Sequence, residues 1–89
     1  MEKYTGLILV SSAITNMKSD EIESRFQQTL APFSIRVLDT QRMQIRDRFF
    51  LAFYIKLDKA HQKAIEDDLQ ETADQLKVDL AIDYRIESA

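Results

Sequence analysis

The sequence has no cysteine and no tryptophan, and only one glycine, one proline and one histidine. Without cysteine, disulfides, thiolate metal sites and thiol nucleophiles are excluded together. The single imidazole, His61, leaves almost no room for a histidine-based metal or catalytic cluster, and the six serines share that one base. Gly6 stands alone at the first apolar stretch, so no glycine-rich loop is available to cradle a phosphate. Long hydrophobic runs are missing too. Leu7–Val10 and Phe49–Ile55 are far too short to span a bilayer. The N-terminus lacks the profile of a secretory signal, because its apolar stretch is short and Glu2 and Lys3 cancel. A formal net charge of −3 argues against nucleic-acid or anionic-membrane partners. These absences point to a non-catalytic, cytoplasmic protein that needs no cofactor or metal.

What is present is ordinary globular composition, 45% hydrophobic and 30% charged over 89 residues, which is one domain's worth of chain. Tyr4 to Val10 reads as a buried strand, and the polar stretch Ser11 to Ser19 as a loop. Ser19 or Asp20 caps a helix whose first turn carries Asp20, Glu21 and Glu23, where the helix dipole favours negative charge. Ile22, Phe26 and Leu30 form its apolar stripe, and Pro32 ends it. Ser34 to Ile45 is extended, with Ile35, Val37, Met43 and Ile45 expected on one face and Arg36, Leu38, Thr40, Arg42 and Gln44 on the other.

Arg46-Asp47-Arg48 marks a hairpin turn without the usual glycine. Phe49 to Leu57 is the most strand-like segment. Its odd-numbered residues face one way and Phe50, Ala52 and Tyr54 the other, which predicts a central strand covered on both sides. Asp58 is the expected N-cap of a second helix to about Lys77, with His61, Ile65, Leu69, Thr72, Ala73 and Leu76 inward. The final strand alternates, with Val78, Leu80, Ile82, Tyr84 and Ile86 inward.

The order βαββαβ, with right-handed crossovers, gives an α+β ferredoxin-like sandwich over residues 1–89: a four-stranded antiparallel sheet with two helices on one face. The other face is left with Leu38, Phe50, Ala52, Tyr54 and Ala81. Such an apolar patch meets a partner, and a second copy of the chain is the first suspect. The RNA-recognition motif shares this element order. Arg46, Phe50, Leu51 and Phe53 fit its third-strand pattern, whereas Asp47, Arg48 and Phe49 do not, and Leu7–Val10 lacks the aromatic that stacks a base. RNA binding is therefore the third-ranked function.

The segment Ile35-Arg36-Val37-Leu38-Asp39-Thr40-Gln41-Arg42-Met43-Gln44-Ile45, with the turn and Phe49–Leu57 after it, resembles the second and third strands of ACT domains. These are small ligand-binding regulatory modules of amino-acid metabolism, and the likeness is greatest to the one at the N-terminus of bacterial phosphoserine phosphatases. The resemblance covers nearly the whole chain in element order. It implies a homodimeric regulatory module that senses serine or another amino acid and is associated with a serine-biosynthesis enzyme. On that resemblance the chain is either an excised domain, with a catalytic domain after Ala89, or a stand-alone relative, and the family's magnesium and aspartate nucleophile belong to residues absent from this sequence.

The same resemblance points to Asn16, Lys18 and Ser19 as ligand-binding residues, with Arg36 contributed by a neighbouring subunit to pair with a carboxylate. Asp20-Glu21 stands where the family carries Pro-Gly. Those acids repel a ligand carboxylate unless Lys18 or the neighbour's Arg36 compensates. The alternative function is a structural homodimerisation module without a ligand.

Overall fold

The computed structural model of the chain describes residues 3–13 and 19–86. The elements are β1 (Lys3–Ala13), α1 (Ser19–Leu30), β2 (Arg36–Ile45), β3 (Arg48–Asp58), α2 (Gln62–Leu76) and β4 (Asp79–Ile86). The four strands form one antiparallel sheet in the order β2-β3-β1-β4. Both helices lie on one face of it, as the ferredoxin-like reading requires. Ile22, Phe26 and Leu30 of α1, and Ile65, Leu69 and Ala73 of α2, close over Ile8, Val10, Leu51, Phe53, Ile55 and Leu57. All twelve are buried and apolar, so this one-sided layer is the hydrophobic core.

Between the helices the contact turns polar. Thr29 Oγ1 lies 2.6 Å from Thr72 Oγ1, and the Thr72 hydroxyl also bonds the Asp68 carbonyl at 3.0 Å. Thr72 is thereby buried without an orphaned hydroxyl. No helix of the described residues is long and apolar enough to cross a membrane.

Several expectations needed revision. Ser11 to Ala13 is strand, because these residues continue the ladder against Phe50, Phe49 and Arg48, and Arg48 Nη2 donates to Ser11 Oγ at 2.8 Å. The pairing partner outweighs the poor strand propensity of serine. Asp58 does not cap α2 with its side chain. It precedes a single 3-10 turn, Lys59–His61, and its carboxylate lies 2.6 Å from Lys3 Nζ. His61 falls in that turn, half-buried, and the α-helix begins at Gln62. Ile86 is exposed at the sheet's end, and β4 starts at Asp79, one residue beyond Val78.

The alternation expected for β2 breaks at Leu38. A β-bulge between Val37 and Asp39 leaves Leu38 as the extra residue. Val37 pairs with Ile55 on the helix face, but after the bulge Thr40, Arg42 and Gln44 take that face. Met43 and Ile45 turn to the open side.

The open face is therefore larger than expected, and none of the described residues covers it. Phe50 and Tyr54 on β3 remain 37% and 41% exposed, and Met43 and Ile45 on β2 57% and 53%. β3 is central, but among the described residues its expected cover exists on one side only.

Gly6 has a packing role. A β-carbon there would stand 3.3 Å from the Tyr84 ring and 3.4 Å from Ile55 Cγ1, so the glycine lets the ring lie on the helix face of β1. The Tyr84 hydroxyl is buried without a partner. Desolvation first and the charge of Glu66 second push its pKa to about 12.

Candidate functional site

The first turn of α1 is where the sequence directs attention. Ser19 opens the helix, and Asp20 and Glu21 follow as its first-turn acids. Asn16 and Lys18 lie outside the described residues. An arginine that sequence reasoning did not assign to this place reaches it from the sheet. Arg42 of β2 contacts Asp20 Oδ1 through Nη1 at 2.5 Å and Glu23 Oε1 through Nε at 3.2 Å. The hydrogen bond to Asp20, then the charges of Glu23 and Asp20, hold the guanidinium more firmly protonated than usual.

Arg42 thus meets Asp20, one of the two acids expected to repel a ligand carboxylate, together with Glu23. Arg42 reaches them because the bulge at Leu38 turns it to the helix face. Without the bulge, Arg42 and Val37 would lie on opposite faces. The sequence signal was the acidic pair at 20 and 23 opposite a strand arginine, but the register was needed to join them.

Arg36 is placed elsewhere. It pairs with Lys56 on the open face, five ladder positions and about 17 Å from the Arg42–Leu51 pair. Within one chain, Arg36 and Ser19 are not brought together. A shared site for them requires a second subunit, as the expectation stated.

The open face holds the second feature, a groove of about 680 Å³ over the hairpin-side half of the sheet. Its centre is the row Gln41, Ala52, Leu9 and Ala81 across the four strands, followed by Met43, Phe50, Ser11 and Asp79. The alanines are short, so the floor sinks between Met43, Phe50 and Leu9. Asp39 and Asp83 share the face one row further, beside Tyr54 and Leu7. Those carboxylates oppose a phosphate backbone, and β1 offers leucine where base stacking needs an aromatic. No cluster of three or more metal-ligating side chains occurs among the described residues.

Comparison with known proteins bears on both features. The family model for the ACT domain matches residues 13–83. No curated protein matches the chain by sequence. Among solved structures, a putative glycine cleavage system transcriptional repressor superposes with a TM-score of 0.82 at 16% identity, over 98% of this chain and 49% of that one. An ACT domain protein from Streptococcus pneumoniae gives 0.75 at 15% identity, over 91% and 89%. Formyltetrahydrofolate deformylase from Burkholderia mallei gives 0.73 at 12% identity, over 90% of this chain and 28% of the enzyme. The chain therefore spans about half the length of the first of these and little more than a quarter of the last. At these identities the superpositions establish the shared fold.

Proposed function

The chain belongs to the ACT-domain family, and from that premise we propose that residues 1–89 are a single, non-catalytic sensor of a small amino acid in serine or glycine metabolism. ACT domains are regulatory modules, generally without catalytic activity, that commonly bind amino acids and dimerise. The proposed ligand is serine or glycine, bound beside the first turn of α1 by Asn16, Lys18 and Ser19, with Arg36 of a partner subunit on its carboxylate. Two resemblances support this ligand class. The β2–β3 hairpin is like that of phosphoserine phosphatase ACT domains, and the first structural neighbour is described as a glycine cleavage system repressor.

The observation that carries the proposal is the pairing of Arg42 with Asp20 and Glu23. With Asp20 and Glu23 met, a ligand carboxylate is repelled less at the start of α1, where the first N–H groups have no partner within the helix itself. The regulated enzyme is proposed to be phosphoserine phosphatase-like, and the output a ligand-dependent change in how two copies associate.

The test is a backbone amide NMR titration of the full chain with glycine and L-serine, with sedimentation to follow association. Saturable shifts at 11–13, 19–23 and around Arg36, weakened by Arg36→Ala, are expected. A stable dimer that ignores both amino acids would refute sensing and leave an assembly module.

A further inference from the structure

Strand β2 is the least buried strand of the sheet. Every one of its residues is exposed except Thr40, which is half-buried, and its backbone ladder runs on one side only, against β3. Apolar packing does not lock it to α1 either. A hollow of about 300 Å³ lies between the two elements, lined by Gln27, Leu30, Ile35, Val37, Thr40 and Phe53.

Toward the hairpin end of the strand the contact with α1 is ionic. Arg42 spans the two elements, with Nη1 on Asp20 and Nε on Glu23, which are neighbours at i and i+3 on one helix face. The other Glu23 oxygen, Oε2, accepts from Gln27 Nε2 at 3.2 Å, so Glu23 is held along the helix as well as across to the strand. The Glu23 side chain is 21% exposed and that of Asp20 83%, which makes Glu23 the partner less screened by solvent. Two contacts through different nitrogens fix the guanidinium plane as a single point charge would not.

We propose that Arg42 is a positioning residue that couples the first turn of α1 to β2, so that a change at the helix start is felt in the strand. A bridging side chain moves two elements together where other packing leaves one of them free to follow, and β2 is such an element. The coupling is a property of the chain without ligand. Its regulatory use rests on the amino-acid-sensing reading. A ligand at the start of α1 in one copy then alters the strand that offers Arg36 to the other copy, and by linkage a ligand on Arg36 is felt at that helix start.

The test is amide hydrogen exchange, followed by NMR, on the full chain and its Glu23→Gln, Arg42→Gln and doubly substituted variants. Glu23→Gln is expected to speed exchange of the β3-bonded amides of β2 at 40–44 about threefold, the effect of one exposed ion pair. Amides of β1, β4 and α2 are expected to keep their rates. With Arg42→Gln already present, Glu23→Gln is expected to change nothing further at 40–44. Arg42→Lys keeps the charge without the fork and is expected to behave as Arg42→Gln. One common factor at all slowly exchanging amides would identify a merely stabilising ion pair and overturn the proposal. So would additive effects of the two substitutions at 40–44, or rates there that Glu23→Gln leaves unchanged.

L-serine is then added to the same proteins. It is expected to alter the 40–44 rates in the native chain and not in Arg42→Gln, while still shifting the amides at 19–23 in both. Equal responses at 40–44 in the two proteins would overturn the regulatory use. No response anywhere in the native chain would refute amino-acid sensing, and the exchange rates without ligand would still decide the coupling.

Discussion

Replacing Lys77 by glycine is expected to stabilise the fold. Lys77 ends α2 in the left-handed region, φ 59° and ψ 46°. Its N–H bonds the carbonyls of Ala73 and Asp74, and Val78 N bonds Ala73 O at 3.0 Å, which together make a Schellman closure. A residue with a β-carbon in that conformation is disfavoured by about 1–2 kcal/mol, and glycine is not. Against this, glycine gives the unfolded chain extra freedom, at a cost of about 0.5–1 kcal/mol. Removing a cation from a helix C-terminus costs about 0.3 kcal/mol more. The exposed side chain makes no core contact, so the net expectation is a gain of about 0.5 kcal/mol. For a domain of this size that raises Tm by about 2–4 °C. Thermal unfolding followed by circular dichroism, with Lys77→Ala alongside, separates the terms. The alanine variant keeps the backbone strain and loses the charge, so its Tm stays level or falls slightly. A glycine variant no more stable than the alanine variant would refute the left-handed strain as the controlling term.

Two further predictions concern the core. Phe53→Ala is expected to cost about 3–5 kcal/mol in urea unfolding, because Phe53 is 1% exposed at the centre of the helix-covered face. A loss under 1 kcal/mol would contradict that packing. Tyr84, with its pKa raised from 10.0 to about 12 by burial, is expected to ionise late in an ultraviolet pH titration. The folded state holds this proton more tightly than the unfolded state. Its contribution to stability is therefore complete below pH 10 and is lost as the pH rises toward 12. Ionisation at the ordinary tyrosine value would show that the hydroxyl is solvated.

Local patterns in the sequence carried most of the architecture. The every-fourth stripe Ile22, Phe26, Leu30 and the alternation from Phe49 to Leu57 each bury the residues they marked. Pro32, two residues past Leu30, stands where α1 has ended. These features depend on neighbours within one element, and helical or strand periodicity reports them directly. The candidate site was less legible. Ser19 or Asp20 was expected to cap α1, but they are its first two residues, and Asn16 and Lys18 lie outside the described residues. Arg42 was visible only as one member of a basic cluster.

By itself, then, the sequence determined the order of elements, the inward faces of β3 and both helices, and the absence of thiol and histidine-cluster chemistry. Tertiary structure decided the rest. Whether Ser11 is loop or strand depends on Phe50 lying opposite, and whether Arg42 faces solvent or α1 depends on one extra residue at Leu38. A strand has a side-chain period of two, so a single bulge moves every later side chain to the other face. No residue type announces that shift, because it arises from pairing with a strand whose register is set by its own buried face.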